Sequence, residues 1–174
     1  MTGVQTCALP ISTLTRLLDE IPTIRAIKDW SPGVPQHETH VRVLQSRKPV
    51  VNVLSTNSAW LLSSLVLGCN GLLSGSGSVI ADLQARLFRA VAANDLAEAR
   101  RLNDRIHPLA SVFYADPFVD MHNRMKEALV LLGKLPRAVV RPPLVKLERA
   151  EIARIRAALI EAGLLDKNAA RDAA

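Results

Sequence analysis

A short apolar run, TIRAIKDWS at residues 23–31, limits the folds open to this chain. Ile24, Ala26 and Lys28 fall on one face at the period of two that a strand imposes. A proline precedes the run, and the sequence WSPG at residues 30–33 predicts a loop after it. Lys28 is therefore expected where a strand meets a loop, which is the functional end of a strand in parallel α/β folds.

A lysine at the end of a strand can attack the carbonyl carbon of a ketone or aldehyde and form a Schiff base. The attack needs a neutral amine, and an ordinary lysine, with a pKa of about 10.4, is almost wholly protonated at pH 7. A Schiff-base lysine therefore works from an apolar pocket or beside another cation. A lysine that extends into solvent fits the same local pattern, so the run itself leaves both roles open for Lys28.

Two further strand patterns and a long helical region follow. Residues 49–54, PVVNVL, form a β-branched run, and residues 71–73 form a very short strand. Helices are predicted at 13–21, 35–46, 58–67, 117–132 and 147–162, and from Val79 onward the apolar spacing is helical throughout. The sequence thus predicts an α/β fold in which three strands alternate with helices and a helical region follows.

Two local motifs suggest binding sites but are weak. His37 and His40 have a spacing that can bind a metal, but no third ligand is near in sequence, so we expect both on the surface. The glycine and serine residues at 74–78, SGSGS, precede a helix and suit an anion. A nucleotide-binding loop also needs a lysine that this segment lacks, so a nucleotide-binding domain is not expected.

The overall composition is that of a compact soluble domain. The chain has a formal charge of +6, 49% hydrophobic residues and only 3% aromatic residues, and its basic residues are dispersed. Neither a nucleic-acid surface nor a nucleic-acid partner is indicated. The apolar run at 60–67 is interrupted by Ser63 and Ser64 and is too short to cross a bilayer, so no membrane partner is indicated either.

The first twelve residues, MTGVQTCALPIS, fit nothing that follows and resemble an in-frame translation of a sequencing adapter. Residues 1–12 are therefore expected to be non-native and to carry no fold information. Without Cys7, the remaining Cys69 is expected to be an ordinary buried thiol, which is consistent with a cytoplasmic location. Residues 166–174 are expected to be a disordered tail.

Five collinear blocks of the sequence resemble the dihydrodipicolinate synthase / N-acetylneuraminate lyase family. They are LTRLLDEIPTIRAIKDWS from residue 14, VLSTNSA at 53–59, LGCNGLLSGSGSV at 67–79, NDLAEARRLNDRIHPL at 94–109 and RPPLVKL at 141–147. The resemblance implies a TIM (β/α)8 barrel and makes Lys28 the Schiff-base residue. It implies a lyase of the aldolase or dehydratase type that acts on pyruvate or another 2-oxo acid. No metal or organic cofactor is expected. The protein is expected to be a cytoplasmic homo-oligomer.

The resemblance also assigns two substrate-binding positions. Leu73 matches the residue whose backbone lines the family's pocket beside the lysine. Thr56 stands where the family usually has glycine, and its side chain is expected to narrow the site and add a hydroxyl. Because of this departure, dihydrodipicolinate synthesis itself is not the expected reaction, and the resemblance leaves the acceptor substrate open.

Only the C-terminal half of such a barrel is expected here. Residues 13–78 correspond to strands 6 to 8, and residues 79–165 to the last barrel helix and the C-terminal helical region. Strands one to five of the family's barrel have no counterpart in this sequence. These strands carry the family's hydroxyl pair and its proton-relaying tyrosine. Tyr114, the only tyrosine of the sequence, lies among the late helices and cannot take that role. The fragment itself is therefore expected to be inactive. The alternative is a non-catalytic helical interaction module at 79–165.

Overall fold

A computed structural model describes residues 9–166 of the chain. Residues 1–8 of the predicted adapter-like segment, with Cys7, and residues 167–174 of the predicted tail lie outside the described residues. The first helix begins at Ile11, inside the segment 1–12 that was expected to carry no fold information, and Ile11 packs against the core.

Seven α-helices, three strands and two short 3-10 helices make up the described part of the chain. In chain order they are α1 (Ile11–Glu20), β1 (Ala26–Asp29), α2 (Val34–Gln45), β2 (Asn52–Ser55), a 3-10 helix (Ser58–Trp60), α3 (Leu61–Val66), β3 (Gly71–Leu72), α4 (Gly77–Ala92), α5 (Leu96–Phe113), a 3-10 helix (Phe118–Asp120), α6 (Met121–Leu131) and α7 (Arg149–Glu161).

The three strands form one parallel sheet in the order β1-β2-β3. Lys28 is in register with Leu54, and Asp29 is in register with Ser55. Val53 and Ser55 are buried on the face that the helices cover, whereas Ala26 and Lys28 are exposed on the other face. The sheet is thus packed on one side only, as expected for part of a barrel whose remaining strands would close the inner face.

The helical region supplies most of the hydrophobic core. Helix α5 packs against α4 and α7, and α6 packs against α7. The buried apolar side chains recur at helical spacing: Leu83, Leu87, Ala99, Leu102, Ile106, Leu109, Phe113, Met125, Ala128, Ile155 and Leu159. Each fully buried leucine, isoleucine or phenylalanine contributes about 1.5 to 3 kcal/mol relative to exposure, so this region is the main source of stability.

Most predicted elements form, with shifts at their ends. Strand β2 begins at Asn52 instead of residue 49, because the backbone N–H of Val51 bonds back to Leu44 at the end of α2. Helix α6 begins at Met121 instead of Pro117, because a 3-10 turn intervenes. Gly133 and Gly163 end helices as predicted, with φ of 69° and 66°.

None of the helices within residues 9–166 combines the length and the apolar character that a membrane crossing requires.

Candidate active site

Lys28 lies at the next-to-last position of β1, and its side chain is exposed on the open face of the sheet. Ala26 is exposed on the same face, two residues earlier, and Asp29 is buried on the opposite face because side chains alternate along a strand. The apolar enclosure expected around Lys28 is therefore not supplied by residues 9–166. None of the ion pairs within this range includes Lys28.

Thr56 and Leu73 follow β2 and β3 directly, so both lie at the same edge of the sheet as Lys28. Thr56 is fully buried, and its hydroxyl donates to the carbonyl oxygen of Leu73 at 2.7 Å. The hydroxyl that the sequence adds at this position is thus already bonded. The Leu73 side chain is 50% exposed, while its backbone N–H donates to the carbonyl of Ser55 at 2.8 Å.

A main-chain bond joins the loop after β2 to the end of β1. The N–H of Thr56 donates to the carbonyl oxygen of Asp29 at 3.1 Å. Together with the bonds at Leu73, it fixes the carboxyl ends of all three strands relative to one another. The structure thus brings Lys28, Thr56 and Leu73 to one edge of one sheet.

The two histidines that were expected on the surface are buried, which corrects that expectation. His37 and His40 are each 1% exposed, and both rings contact the carboxylate of Asp29. His37 Nδ1 donates to Asp29 Oδ2 at 2.5 Å, and His40 Nδ1 lies 3.2 Å from Oδ1. The Ser31 hydroxyl donates to Oδ1 at 2.6 Å. We refer to Asp29, Ser31, His37 and His40 as the Asp29 cluster.

The Asp29 cluster is an internal ion-pair network, and its histidines face the carboxylate instead of a shared metal position. Within residues 9–166, no group of three histidine, cysteine, aspartate or glutamate side chains is arranged to hold a metal ion. The spacing of the histidines gave no sign of this arrangement, because the carboxylate that binds them comes from the preceding strand. The acidic residue directly after Lys28 was the available signal.

Charge and burial shift the pKa values within the Asp29 cluster in opposite directions. Burial alone raises the pKa of Asp29, but hydrogen bonds from His37, His40 and Ser31 outweigh it and hold the pKa well below its usual range. Burial alone lowers the pKa of His37, but the hydrogen bond and charge of Asp29, with Cys69 adding to them, raise it to about 9. At neutral pH the pair is thus a carboxylate and an imidazolium.

The network extends from His37 toward β3. His37 Nε2 lies 2.7 Å from the hydroxyl of Ser64, and that hydroxyl donates to the sulfur of Cys69 at 3.1 Å. Cys69 is a free, buried thiol, as the sequence predicted. The ring of Trp60 meets His37 edge to face, with centroids 4.9 Å apart. The imidazolium is therefore enclosed by groups from α2, α3 and the segment before β3.

A second polar network links the loops at the sheet edge to the end of α5. The Ser58 hydroxyl contacts the hydroxyls of Ser74, Ser76 and Tyr114, with the Ser76 contact at 2.8 Å and the Tyr114 contact at 3.0 Å. The backbone N–H of Ser76 donates to the same tyrosine oxygen at 3.2 Å. Gln84 Nε2 donates to the Ser76 hydroxyl at 2.8 Å. We refer to these residues as the Ser58 cluster.

The Ser58 cluster changes two expectations from the sequence. Tyr114 lies at the end of α5, among the late helices, yet its hydroxyl reaches the loops that follow β2 and β3. The serines of the SGSGS segment are bonded within the protein, and Ser76 is fully buried. The segment is therefore a folded junction between β3 and α4, and the Ser76 N–H that could have met an anion donates to Tyr114.

Three aromatic rings form a wall beside this edge of the sheet. Trp30, two residues after Lys28, meets Tyr114 and Phe118 edge to face, with centroid separations of 6.4 and 5.6 Å. Phe118 is 40% exposed. Tyr114 at the end of α5 and Phe118 in the following turn thus pack against Trp30 in the loop after β1.

A groove lies on another side of the sheet edge. It has a volume of about 450 Å³, and its lining residues include Leu72, Leu73, Gln84 and Phe88. Leu73 is the one predicted site residue in this lining, and Lys28 does not border the groove. The site residues are therefore joined by hydrogen bonds at the strand ends and do not share this groove.

Parallel strands with helices on one face, and a lysine at the carboxyl end of one strand, are the architecture of an incomplete (β/α)8 barrel. The chain belongs to the Dihydrodipicolinate synthetase family, whose sequence profile it matches over residues 2–162. This match begins within the segment predicted to be adapter-like. The predicted fold class and the family resemblance are both confirmed.

Individual relatives show the same likeness over about half of their length. The chain is 30% identical over 160 residues to 4-hydroxy-tetrahydrodipicolinate synthase of Acidobacterium capsulatum, covering 91% of this chain and 50% of the relative. It is 25% identical over 154 residues to a probable 2-dehydro-3-deoxy-D-pentonate aldolase of Escherichia coli, covering 88% of this chain and 50% of that protein.

A solved structure supports the same assignment. The Escherichia coli prophage protein YagE, of the dihydrodipicolinic acid synthase family and in complex with pyruvate, superimposes with a TM-score of 0.77 at 26% identity. The match covers 88% of this chain and 51% of YagE. The chain therefore spans about half the length of the proteins it resembles.

Proposed function

We propose that Lys28 is the Schiff-base residue of a lyase, of the aldolase or dehydratase type, and that this lyase acts on a 2-oxo acid. The observation that carries the proposal is the position of Lys28 at the carboxyl end of β1, on the open face of the sheet, with Thr56 and Leu73 at the same edge. In a (β/α)8 barrel this is the inner face and the functional end. Membership of the family supports the same role.

The chemistry follows from an amine meeting a keto carbon. The Lys28 Nζ attacks the carbonyl carbon of the 2-oxo acid, water leaves, and a protonated imine forms. When the carbon next to the imine carbon loses a proton or a carbon substituent, the protonated imine accepts the electron pair of the broken bond. The product of this step is an enamine. The enamine takes up a proton or a new carbon partner, and water then hydrolyses the imine to release the product and restore the amine.

We propose pyruvate or a closely related 2-oxo acid as the group that Lys28 binds. The pyruvate complex of YagE and the 2-dehydro sugar-acid substrate in the name of the pentonate aldolase support this class. The buried Thr56 contributes by holding the carbonyl of Leu73 in place. An aldehyde acceptor would then be selected by the backbone of Leu73 and the surface beside it.

The chain of 174 residues is proposed to turn over slowly or not at all by itself. Lys28 is exposed, so the amine lacks the apolar enclosure that surrounds the lysine of a Schiff-base enzyme. Within residues 9–166, no hydrogen bond joins the Lys28 side chain to an arginine or to a hydroxyl group. A weak imine reaction at high pyruvate concentration is still expected.

Borohydride trapping tests this proposal. The chain is incubated with pyruvate and sodium borohydride, and the adduct is located by peptide mass analysis in the wild type, in Lys28→Arg and in Lys48→Arg. Lys48 is an exposed lysine in the loop before β2 and serves as the matched control. An adduct on Lys28 that survives Lys48→Arg supports the proposal, and equal labelling of all six lysines contradicts it.

A helical interaction module is the second candidate, and the distribution of the core favours it. Most fully buried apolar side chains lie in α4 to α7, whereas the strand that carries Lys28 is exposed on one face. This candidate predicts a cooperatively folded chain that shows no Lys28-selective adduct. The trapping experiment therefore separates the two functions.

Self-association and a cytoplasmic location are proposed with the family role. The open face of the sheet and the exposed side chains of Val119 and Val145, at 61% and 73%, offer apolar surface to a second copy. The free thiol of Cys69 suits a reducing compartment. Sedimentation velocity across a range of protein concentrations tests self-association, and a single monomer species throughout contradicts it.

A further inference from the structure

The face of β1 opposite Lys28 carries the most polar buried cluster at the sheet. Asp29 is 4% exposed and accepts hydrogen bonds from Ser31 in the following loop and from His37 and His40 on α2. Nothing in the Schiff-base chemistry uses these groups. Their burial is costly unless every charge is paired, so the cluster needs a reason beyond packing.

We propose that Asp29 is a positioning residue for Lys28, acting through the backbone of β1 and anchored by His37 and His40. This inference rests on the proposed role of Lys28. It assigns a function to Asp29, His37 and His40 on the buried face. The direction of the Lys28 side chain would then depend on whether His37 is charged.

Covalent geometry connects Asp29 to Lys28. Lys28 and Asp29 are consecutive, and their side chains leave a strand on opposite faces. A carboxylate held by three donors fixes the rotation of the strand at Asp29, and therefore fixes the direction in which the Cα–Cβ bond of Lys28 points. Within residues 9–166, no hydrogen bond or ion pair anchors Lys28 on its own face, so the anchor is on the opposite face.

The backbone of Asp29 is bonded to the rest of the site. The carbonyl oxygen of Asp29 accepts the N–H of Thr56 at 3.1 Å, and the Thr56 hydroxyl binds the carbonyl of Leu73. Asp29 is thus bonded through its side chain to α2 and through its backbone to the loop after β2. Movement of Asp29 would shift Lys28 relative to Thr56 and Leu73 together. A displacement of about 1 Å at a reacting group can reduce a rate about 100-fold.

A charge pair also holds the end of β1. His37 is the cationic partner of Asp29, and its pKa of about 9 keeps it charged at neutral pH. The titratable groups around this pair are His40 on α2 and Cys69 before β3, which reaches His37 through Ser64. When His37 loses its proton, the buried carboxylate keeps its hydrogen bonds but loses its counter-charge, so the strand end is held less firmly.

The experiment compares Asp29→Asn with Asp19→Asn. Asn at residue 29 removes the charge with little change of shape, and Asp19 is an exposed partner of Arg47 that serves as the control. The rate of Lys28-selective borohydride trapping with pyruvate is measured relative to the other lysines of the same molecule. We expect at least a tenfold loss of selectivity in Asp29→Asn and none in Asp19→Asn. Unchanged selectivity in folded Asp29→Asn overturns the proposal.

A pH profile separates positioning from a merely structural role. In the wild type, the relative trapping rate at Lys28 is expected to change slope as His37 loses its proton near pH 9. In His37→Gln, which keeps a side chain able to donate to Asp29, that change of slope should vanish while the unfolding transition stays cooperative. If Asp29→Asn does not fold, this variant decides, and an unaltered profile overturns the proposal.

Failure of the Schiff-base role is recognised separately. If the wild type gives no Lys28-selective adduct, deuterium uptake of the peptide covering residues 24–31 replaces trapping as the readout. At least tenfold faster exchange there in Asp29→Asn, with α5 to α7 unchanged, supports the anchoring of β1. Equal exchange in wild type and variant overturns it.

Discussion

The hydroxyl of Thr56 donates a 2.7 Å hydrogen bond to the carbonyl oxygen of Leu73, and this bond joins the loop after β2 to the loop after β3. Both residues lie at the edge of the sheet where β1, the strand of Lys28, ends. The bond links two positions that are 17 residues apart in the chain. The Thr56 side chain thus acts on the backbone of the neighbouring loop.

Replacement of Thr56 by valine should destabilise the chain by about 1 kcal/mol. Valine keeps the branched shape but removes the donor, and a single neutral hydrogen bond contributes roughly 0.5 to 1.5 kcal/mol. Urea unfolding followed by circular dichroism measures the change. Thr56→Ser, which retains the hydroxyl, is the control, and a loss in Thr56→Ser as large as in Thr56→Val would show that packing of the methyl group dominates.

The stability of the chain should fall as pH rises from about 6.5 to about 9. His37 has a raised pKa, so its contribution is complete below the unfolded-state value of 6.5 and is lost as pH approaches about 9. Asp29 has a lowered pKa, so its contribution is present above about 3.8 and is lost only as pH falls below that range. The loss on the alkaline side is on the order of 3 kcal/mol.

Urea unfolding at half-unit pH steps checks this prediction. His37→Gln should flatten the profile between pH 6.5 and 9, and His122→Gln, at an exposed position on α6, should leave it unchanged. A wild-type profile that is already flat in this range would contradict the ionic character of the Asp29–His37 pair.

The local sequence predicted the strand and the lysine near its end, but β1 begins at Ala26, and Ile24 lies before it and packs against the core. The alternation of Ile24, Ala26 and Lys28 indicated one face of a strand, and the structure places Ala26 and Lys28 together on the open face. The helical spacing of residues such as Leu102, Ile106 and Leu109 gave the core correctly, because periodicity reports the buried face of a helix directly.

The polar clusters could not be predicted because they depend on contacts between distant segments. His37 and His40 look like surface residues when α2 is considered alone, and only the packing of α2 on β1 brings them to Asp29. Tyr114 reaches Ser58 across 56 residues of sequence. Hydrogen-bonded pairing at such separations leaves no periodic signal in a single chain.

Replacement of Tyr114 by phenylalanine should cost about 1 to 3 kcal/mol. The tyrosine oxygen accepts the backbone N–H of Ser76, which is fully buried, and phenylalanine leaves that donor without a partner. A double-mutant cycle with Ser58→Ala measures how far the two residues act together. We expect a coupling energy of about 0.5 to 1.5 kcal/mol, and additive effects would show that the Ser58–Tyr114 contact is not a stabilising bond.

The buried guanidinium of Arg124 should be the most sensitive single position in the helical region. Its side chain is 1% exposed, its Nε donates to Glu151 at 2.6 Å, and its remaining nitrogens donate to the backbone carbonyls of Phe113, Ala115 and Asp116. It thus ties the end of α5 and the following loop to α6 and α7. Arg124→Ala leaves these carbonyls without the Arg124 donors and, within residues 9–166, leaves Glu151 with Arg154 alone.

We expect Arg124→Ala to lose about 3 to 5 kcal/mol, the range found when one partner of a buried ion pair is removed. Arg154→Ala removes an exposed partner of the same glutamate and should lose less than about 0.5 kcal/mol, because exposed pairs contribute little. Thermal unfolding of the two variants in parallel makes the comparison. Equal losses would mean that Glu151 is stabilised by charge alone, whereas the expected difference assigns the stability to the carbonyls that Arg124 binds at the end of α5.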